Sequence, residues 1–187
     1  MRGVLALDLA RVSGWAFGRL PRRALTPLEA AALKPPKPQS GFHVICKPGA
    51  SAGKFLCLAE VWLTDLVERL QPAGIIYEAP IYDRHKTAHF TAAKLMGVAG
   101  VICMVAHRAS ITWLRPCQPS SVKKVFSGSG APGKDNVMAA CLARGWNFEV
   151  NDEADALAIW HHAAHIAEEE GDAPAALFQT KPARRAA

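Results

Sequence analysis

Short apolar runs of strand length, separated by turn residues, recur along the first two-thirds of the chain. The runs GVLALDL and AGIIYEAP are the clearest, and each carries an acid at or near its end. The pattern predicts strands over 3–9, 13–20, 41–47, 73–80 and 110–116. Because only a short turn separates the first two strands, we expect them to form an antiparallel hairpin.

Longer segments place apolar residues at helical spacing. They predict helices over 53–70, 85–108, 119–126, 134–145 and 151–171, and a helical turn within 28–33. Because these elements do not alternate strictly, the order favours an α/β fold with a mixed sheet, antiparallel at its start and flanked by helices, over a doubly wound fold.

The chain has 187 residues, and we expect one domain over 1–170. The segment 21–39, rich in proline and basic residues, is interpreted as a surface insertion. The last segment, 171–187, is interpreted as a disordered basic tail.

Composition narrows the class of protein. Half of the residues are apolar and a fifth are charged, as is typical of a globular domain. The longest purely apolar run, 95–106, is too short to span a bilayer, and no signal-peptide pattern precedes it, so we expect a cytoplasmic protein. The formal net charge of +6 favours a polyanionic partner.

The segment GSGAPGKD, 128–135, fits the spacing G-x-x-x-x-G-K of a phosphate-binding loop. In such a loop a Ser or Thr follows the lysine and binds Mg²⁺, but here Asp135 stands at that position. The preceding segment also predicts a helix instead of the buried strand that the motif requires. ATP binding through this loop is therefore the less favoured alternative.

Four acids stand where apolar segments end or begin. Asp8 and Glu78 close two predicted strands, and Asp152 and Asp155 lie three apart at the start of the last helix, on one face. A carboxylate beside a hydrophobic segment is costly unless it is paired or binds a metal. Together the four acids suit a site for hard divalent cations, which perform phosphoryl transfer in two-metal nucleases.

Each acid also has a purely structural interpretation. Asp152 and Asp155 are suitable helix-cap acids, Asp8 is placed to accept hydrogen bonds from the turn that follows it, and Glu78 has many basic residues with which to pair. Both interpretations stay open at the level of single residues, and only the joint pattern favours a metal site.

Candidate zinc ligands are few. The five cysteines are dispersed without a C-x-x-C pair, and we interpret them as buried thiols. His161 and His165 lie four apart on the last helix but lack an accompanying acid, so we interpret them as part of a solvated helix face. His162 falls near the acids in the helical pattern and is not counted as a ligand.

These motifs, in this order, resemble RuvC, the Holliday-junction resolvase branch of the RNase H-like superfamily, including its bacteriophage members. The likeness extends over about 3–168 and rests on the early strand with Asp8, the GW pair at 14 and 15, Glu78, the DEADALAIW segment and the run SSVKKVFSGSGAPGKDNVMAA. It implies an RNase H-like, mixed five-stranded sheet whose first three strands are antiparallel.

The resemblance also implies a function. RuvC-like enzymes are homodimeric, structure-selective endonucleases that nick four-way DNA junctions with Mg²⁺ or Mn²⁺ during recombination and repair. By motif, Asp8, Glu78, Asp152 and Asp155 correspond to the catalytic acids that bind the metal. A non-cleaving protein of the same fold that binds branched DNA is the alternative.

DNA contacts follow from the same resemblance. Lys123 or Lys124, together with Lys134, correspond to residues that hold the DNA backbone near the scissile phosphate. Tyr82 is either an aromatic that stacks on junction bases or a half-buried tyrosine with a structural role. The sequence departs from the family pattern after Asp8, in the segment 21–39, and beyond Glu78, where APIYDRHK replaces a polar-aromatic run.

Overall fold

The computed structural model describes residues 3–21, 23–80, 89–128 and 134–170, and the side chains of 89–92 and 134–135 are not among those described. The elements are β1 (Val4–Asp8), β2 (Val12–Gly18), α1 (Pro27–Leu33), β3 (Gln39–Val44), α2 (Ala52–Leu70), β4 (Gly74–Glu78), α3 (His89–Arg108), β5 (Trp113–Cys117), α4 (Pro119–Ser127), α5 (Lys134–Ala143) and α6 (Asn151–Glu169). All five predicted strands are present, with shifted ends. The predicted tail 171–187 lies outside the described residues.

The strands form one mixed sheet in the order β3-β2-β1-β4-β5. The first three strands pair antiparallel, whereas β4 pairs parallel to β1 and β5 pairs parallel to β4, through crossovers that contain α2 and α3. The Ser13 hydroxyl donates to the Ala10 carbonyl at 2.8 Å and closes the short turn between β1 and β2. The predicted RNase H-like mixed five-stranded sheet is therefore confirmed.

Alternation along β1 divides the hydrophobic core into two layers. Val4 and Ala6 face α4, α5 and α6, whereas Leu5 and Leu7 face α2 and α3. All four side chains are fully buried. Because both faces of β1 are covered, the strand is a continuous apolar run, as the sequence shows.

The segment 21–39 contains α1 and packs against the rest of the domain. Thr26 and Glu29 form a capping box at the start of α1, and Lys34 ends it in the left-handed conformation. Beyond it, the Pro35 carbonyl accepts a 2.7 Å hydrogen bond from the indole of Trp146. The helical turn predicted within 28–33 is thus confirmed, and the interpretation of 21–39 as an insertion stays a prediction.

The prediction of a solvated histidine face on α6 is wrong. His161 and His162 are buried, at 1% and 5% exposure, and only His165 is partly exposed. The sheet covers one face of α6, while α4 and α5 pack against others, so the helix is enclosed on nearly all sides. The periodicity of α6 alone cannot show how many neighbours enclose it.

The cysteines are divided between interior and surface. Cys46, Cys117 and Cys141 are buried, as expected, but Cys57 and Cys103 are exposed, so the prediction of buried thiols is wrong for those two. Cys57 lies on α2 and Cys103 on α3. Among the described residues, no helix is both long and apolar enough to cross a bilayer.

Burial lowers the pKa of His161 to about 3, and the nearby Arg144 charge contributes to the shift. Within the described residues neither ring nitrogen of His161 forms a hydrogen bond of good geometry, although a contact with the Leu25 backbone opposes the shift in its pKa. The shift makes stability depend on pH. An unfolded histidine has a pKa of about 6.5, whereas His161 in the folded chain has a pKa of about 3. Between these two values the unfolded chain binds a proton at this position and the folded chain does not. Stability is therefore full above this window and falls with pH inside it.

We expect His161→Phe to weaken the decrease in the free energy of unfolding as the pH falls, by up to about 1.4 kcal/mol per pH unit between pH 6.5 and pH 3. The reason is that phenylalanine retains an aromatic ring but removes the titrating group. The measurement is the free energy of unfolding in urea at pH 7, 6 and 5. His107→Gln, which removes an exposed imidazole at the end of α3, is the control. An unchanged pH dependence in His161→Phe would contradict the assignment.

Candidate active site

Asp8 and Glu78 lie side by side at the carboxyl ends of two parallel strands. The last registered pair of β1 and β4 is Leu7 with Tyr77, and the next residue on each strand is the acid. Both acids line a cavity of about 170 Å³ between the strand ends and α3. The sheet thus brings together two acids that are 70 residues apart in sequence.

The two acids belong to a row of residues that crosses the whole sheet. Asp8 pairs with Gly14 on β2, and Gly14 pairs with Phe42 on β3, while Glu78 pairs with Cys117 on β5. Directly opposed residues share a face, and this face is the one on which α6 packs. Phe42, at 37% exposure, therefore stands at the open end of the row that contains the acids.

Gly14 allows the start of α6 to lie directly on this row. A Cβ atom at Gly14 would be 1.8 Å from the Asp152 carbonyl oxygen and 2.8 Å from the Glu153 amide nitrogen. Both distances are far inside van der Waals contact, and both neighbours are backbone atoms. Only glycine at this position lets the first turn of α6, with Asp152, approach the strand next to Asp8.

Asp155 acts electrostatically on the same site. Burial raises the pKa of Glu78, the negative charge of Asp155 raises it further, and the positive charge of Lys123 on α4 opposes both. The pKa of Cys117 rises to about 12, through burial and then through the charges of Glu78 and Asp8. The acids thus repel one another, and the positive charge of Lys123 partly offsets this repulsion at Glu78.

Glu153 is a buried acid that the sequence analysis did not single out. Its Oε1 accepts hydrogen bonds from the Ser40 hydroxyl and, at 3.1 Å, from Lys37, and its Oε2 accepts one from the Glu149 amide at 2.9 Å. Although burial alone would raise the pKa of Glu153, these hydrogen bonds lower it. Glu153 ties the first turn of α6 to the start of β3 and so supports the position of Asp152.

The predicted DNA-contact residues are described unequally. Lys123 is partly exposed and Lys124 is exposed on α4, and Lys123 lies close enough to Glu78 to act on it electrostatically. Lys134 begins α5, but its side chain lies outside the described set, as does all of Tyr82. Gly128 ends α4 in the left-handed conformation at φ 78°, which explains a glycine there without any nucleotide.

The carboxylates fit Mg²⁺ or Mn²⁺ in chemistry but do not form a finished cluster. Across residues 3–21, 23–80, 89–128 and 134–170, no three His, Cys, Asp or Glu side chains stand close enough together to bind a metal ion as a group. Hard oxygen ligands are nevertheless what these cations prefer. Burial and then the repulsion from Asp155 raise the pKa of Glu78, and a divalent cation would relieve that repulsion. The donor set of Asp8, Glu78, Asp152 and Asp155 therefore suits such an ion.

Comparison with solved structures shows that the fold is similar to that of RuvC. The chain superposes on the Thermus thermophilus RuvC structure with a TM-score of 0.63 and 18% identity, over 91% of this chain and 98% of that one. It superposes on T. thermophilus RuvC in complex with a Holliday junction substrate with a TM-score of 0.65 and 19% identity, over 92% and 98%.

A third similar structure comes from a eukaryotic organelle. The yeast mitochondrial Holliday junction resolvase Ydc2 matches with a TM-score of 0.58 and 12% identity, over 95% of this chain and 80% of that one. No protein-family profile and no curated protein sequence matches. The resemblance to RuvC is thus confirmed in the fold.

We expect Gly14→Ala to destabilise the domain by roughly 3 kcal/mol or more, because the added methyl group can be accommodated only if the backbone of α6 or β2 moves. The measurement is the midpoint and slope of urea unfolding. Gly53→Ala is the matched control: a Cβ there meets nothing within 4 Å, and alanine within α2 should stabilise by about 0.5–1 kcal/mol. Equal stability of the two variants would show that α6 does not approach β2 closely.

Proposed function

We propose that this protein is a structure-selective endonuclease that resolves four-way or other branched DNA junctions by metal-dependent phosphodiester hydrolysis. The observation that supports this most is the placement of Asp8, Glu78 and the first turn of α6 at one end of a RuvC-like sheet. A similar structure that holds a Holliday junction gives the fold a known DNA partner.

In this proposal Asp8, Glu78, Asp152 and Asp155 hold Mg²⁺ or Mn²⁺. When bound, the ion supplies an activated water and stabilises charge on the scissile phosphate. The chain contributes the positions of its ligands: strand ends fix Asp8 and Glu78, while the Gly14 contact and the Glu153 hydrogen bonds fix the start of α6. These supports come from secondary-structure elements, which hold side chains more firmly than loops do.

Lysines complete the site by binding phosphate. Lys123 lies close enough to Glu78 to oppose the increase in its pKa, so it is placed at the edge of the acid group. We infer that Lys123 or Lys124, with Lys134, contacts the DNA backbone, where a point charge binds a phosphodiester without reading bases. Tyr82 stays a candidate for stacking on an unpaired base.

A homodimer belongs to the proposal, because two nicks across a junction require two active sites. Exposed apolar side chains on α2 and α3 offer a surface for a partner subunit, including Val61 at 70% and Met96 at 56% exposure. A nuclease that acts on chromosomal or phage DNA also agrees with the cytoplasmic location expected from the sequence.

One observation favours a second candidate, a protein that binds branched DNA without cleaving it. The acids do not stand close enough to form a metal-binding group among the described residues. The presence of four acids near one site argues against this non-cleaving candidate, because a protein that only binds a polyanion gains nothing from carboxylates. ATP binding is less favoured still, because the helix α4, and not a buried strand, precedes Gly128.

We expect Asp8→Asn to reduce the cleavage of a labelled four-way junction in Mg²⁺ or Mn²⁺ by roughly a hundredfold to a thousandfold or more, because the amide keeps the size of the side chain but removes its charge. Junction binding should persist. Cleavage is measured as symmetric nicks on a denaturing gel, and binding by a mobility shift in the absence of metal.

The control is Asp65→Asn, which removes an exposed charge from α2 and should leave both measurements unchanged. A wild-type protein that binds the junction but produces no nicks with either metal would establish the non-cleaving candidate. ATP hydrolysis that depends on Lys134 would instead support the nucleotide-binding alternative.

A further inference from the structure

Several basic side chains far from the acids are paired with carboxylates. Arg69 at the end of α2 and Arg108 at the end of α3 form ion pairs with Asp65 and Glu60, at 3.9 Å and 2.6 Å. Arg115 on β5 binds Glu170 at the end of α6, at 2.7 Å. Because α2, α3 and α6 all run away from the acid end of the sheet, these pairs neutralise its opposite end.

Three exposed basic residues at the acid end differ from them. Arg11, Lys47 and Lys54 form no ion pair and no side-chain hydrogen bond in the part of the chain that the structure describes. Their charges are therefore left for a partner. We call these three residues the β3-side basic strip.

Backbone contacts hold the strip together and place it beside the acids. Arg11 follows Asp8 by three residues, and its carbonyl accepts a 2.9 Å hydrogen bond from the amide of Ile45, just past the end of β3. Lys47 comes two residues later. Lys47 and Lys54 line the same open cavity of about 460 Å³, between the end of β3 and the start of α2.

Lys54 has no evident structural use in this position. It stands in the first turn of α2, a turn without an acidic residue, where the helix dipole disfavours a positive charge. It is exposed and makes only a backbone contact, from its amide to the Ser51 hydroxyl that caps the helix. A cation kept where it costs stability is expected to serve binding.

We propose that the β3-side basic strip binds the phosphate backbone of a DNA arm, on the side of the acids away from α4. This inference rests on the proposed function, which supplies DNA as the partner. Within the strip, Lys47 follows β3, whereas Lys123 and Lys124 follow β5, so about four strand spacings, roughly 19 Å, separate Lys47 from the lysines of α4 along the sheet. At about 3.4 Å per nucleotide of one strand, that distance covers about five or six phosphates, with the acids between the two groups.

The test compares Lys54→Ala with Arg69→Ala, which remove one positive charge from opposite ends of the same helix. Binding of a labelled four-way junction is measured without metal ion by fluorescence anisotropy, at salt concentrations between about 50 and 200 mM. We expect Lys54→Ala to lower the slope of log K against log salt by about 1, and Lys47→Ala/Lys54→Ala by about 2, with Arg69→Ala unchanged.

A charge-conserving variant, Lys47→Arg/Lys54→Arg, should keep the wild-type slope, which separates a phosphate contact from a loss of folding. If the wild type binds the junction and the alanine variants keep its slope, this inference is overturned while the proposed function stands. If the wild type does not bind the junction at all, the proposed function fails, and the inference fails with it. Because no metal is present, neither result depends on cleavage.

Discussion

The contact between the first turn of α6 and Gly14 is the constraint on which the rest of the site depends. The Asp152 carbonyl lies where any side chain at position 14 would have to be. This contact sets the depth of a helix that is buried along most of its length and packs on both β1 and β2. It also determines how close Asp152 and Asp155 come to the two acids at the strand ends. One glycine therefore joins core packing to the chemistry of the site.

The site holds unbalanced negative charge, and the structure manages it differently for each acid. Glu153 is neutralised by Lys37 and by donors from Ser40 and the Glu149 amide, so its carboxylate is stabilised although it is buried. No hydrogen-bond donor contributes to the pKa shift of Glu78. Burial and Asp155 raise its pKa, and Lys123 opposes them. The contrast separates a carboxylate that supports the fold from one that is held in an unfavourable environment, as functional groups often are.

The placement of Asp8 and Glu78 could be predicted because parallel neighbours end at the same edge of a sheet, so two strand-end acids in sequence become neighbours in space. The burial of His161 and His162 could not be predicted from the sequence, because it depends on how many elements surround α6. Glu153 was missed for a related reason: its partners, Lys37 and Ser40, are more than 110 residues away, in a segment whose packing the pattern did not indicate. Local periodicity reports one face of an element, and tertiary contacts decide the others.

The distribution of charge adds information that the net value of +6 lacks. Ion pairs neutralise several basic side chains at the end of the sheet remote from the acids, whereas three cations at the acid end, Arg11, Lys47 and Lys54, form no such pair within the described part of the chain. A polyanion is therefore attracted to the edge where the carboxylates would otherwise repel it. Such an arrangement needs cations on both sides of the acids, because the field of a single basic group would be screened within about 10 Å at ordinary ionic strength. The lysines of α4 on one side and the β3-side basic strip on the other meet that requirement, and in the proposed complex the phosphate between them is the one nearest to Asp8 and Glu78.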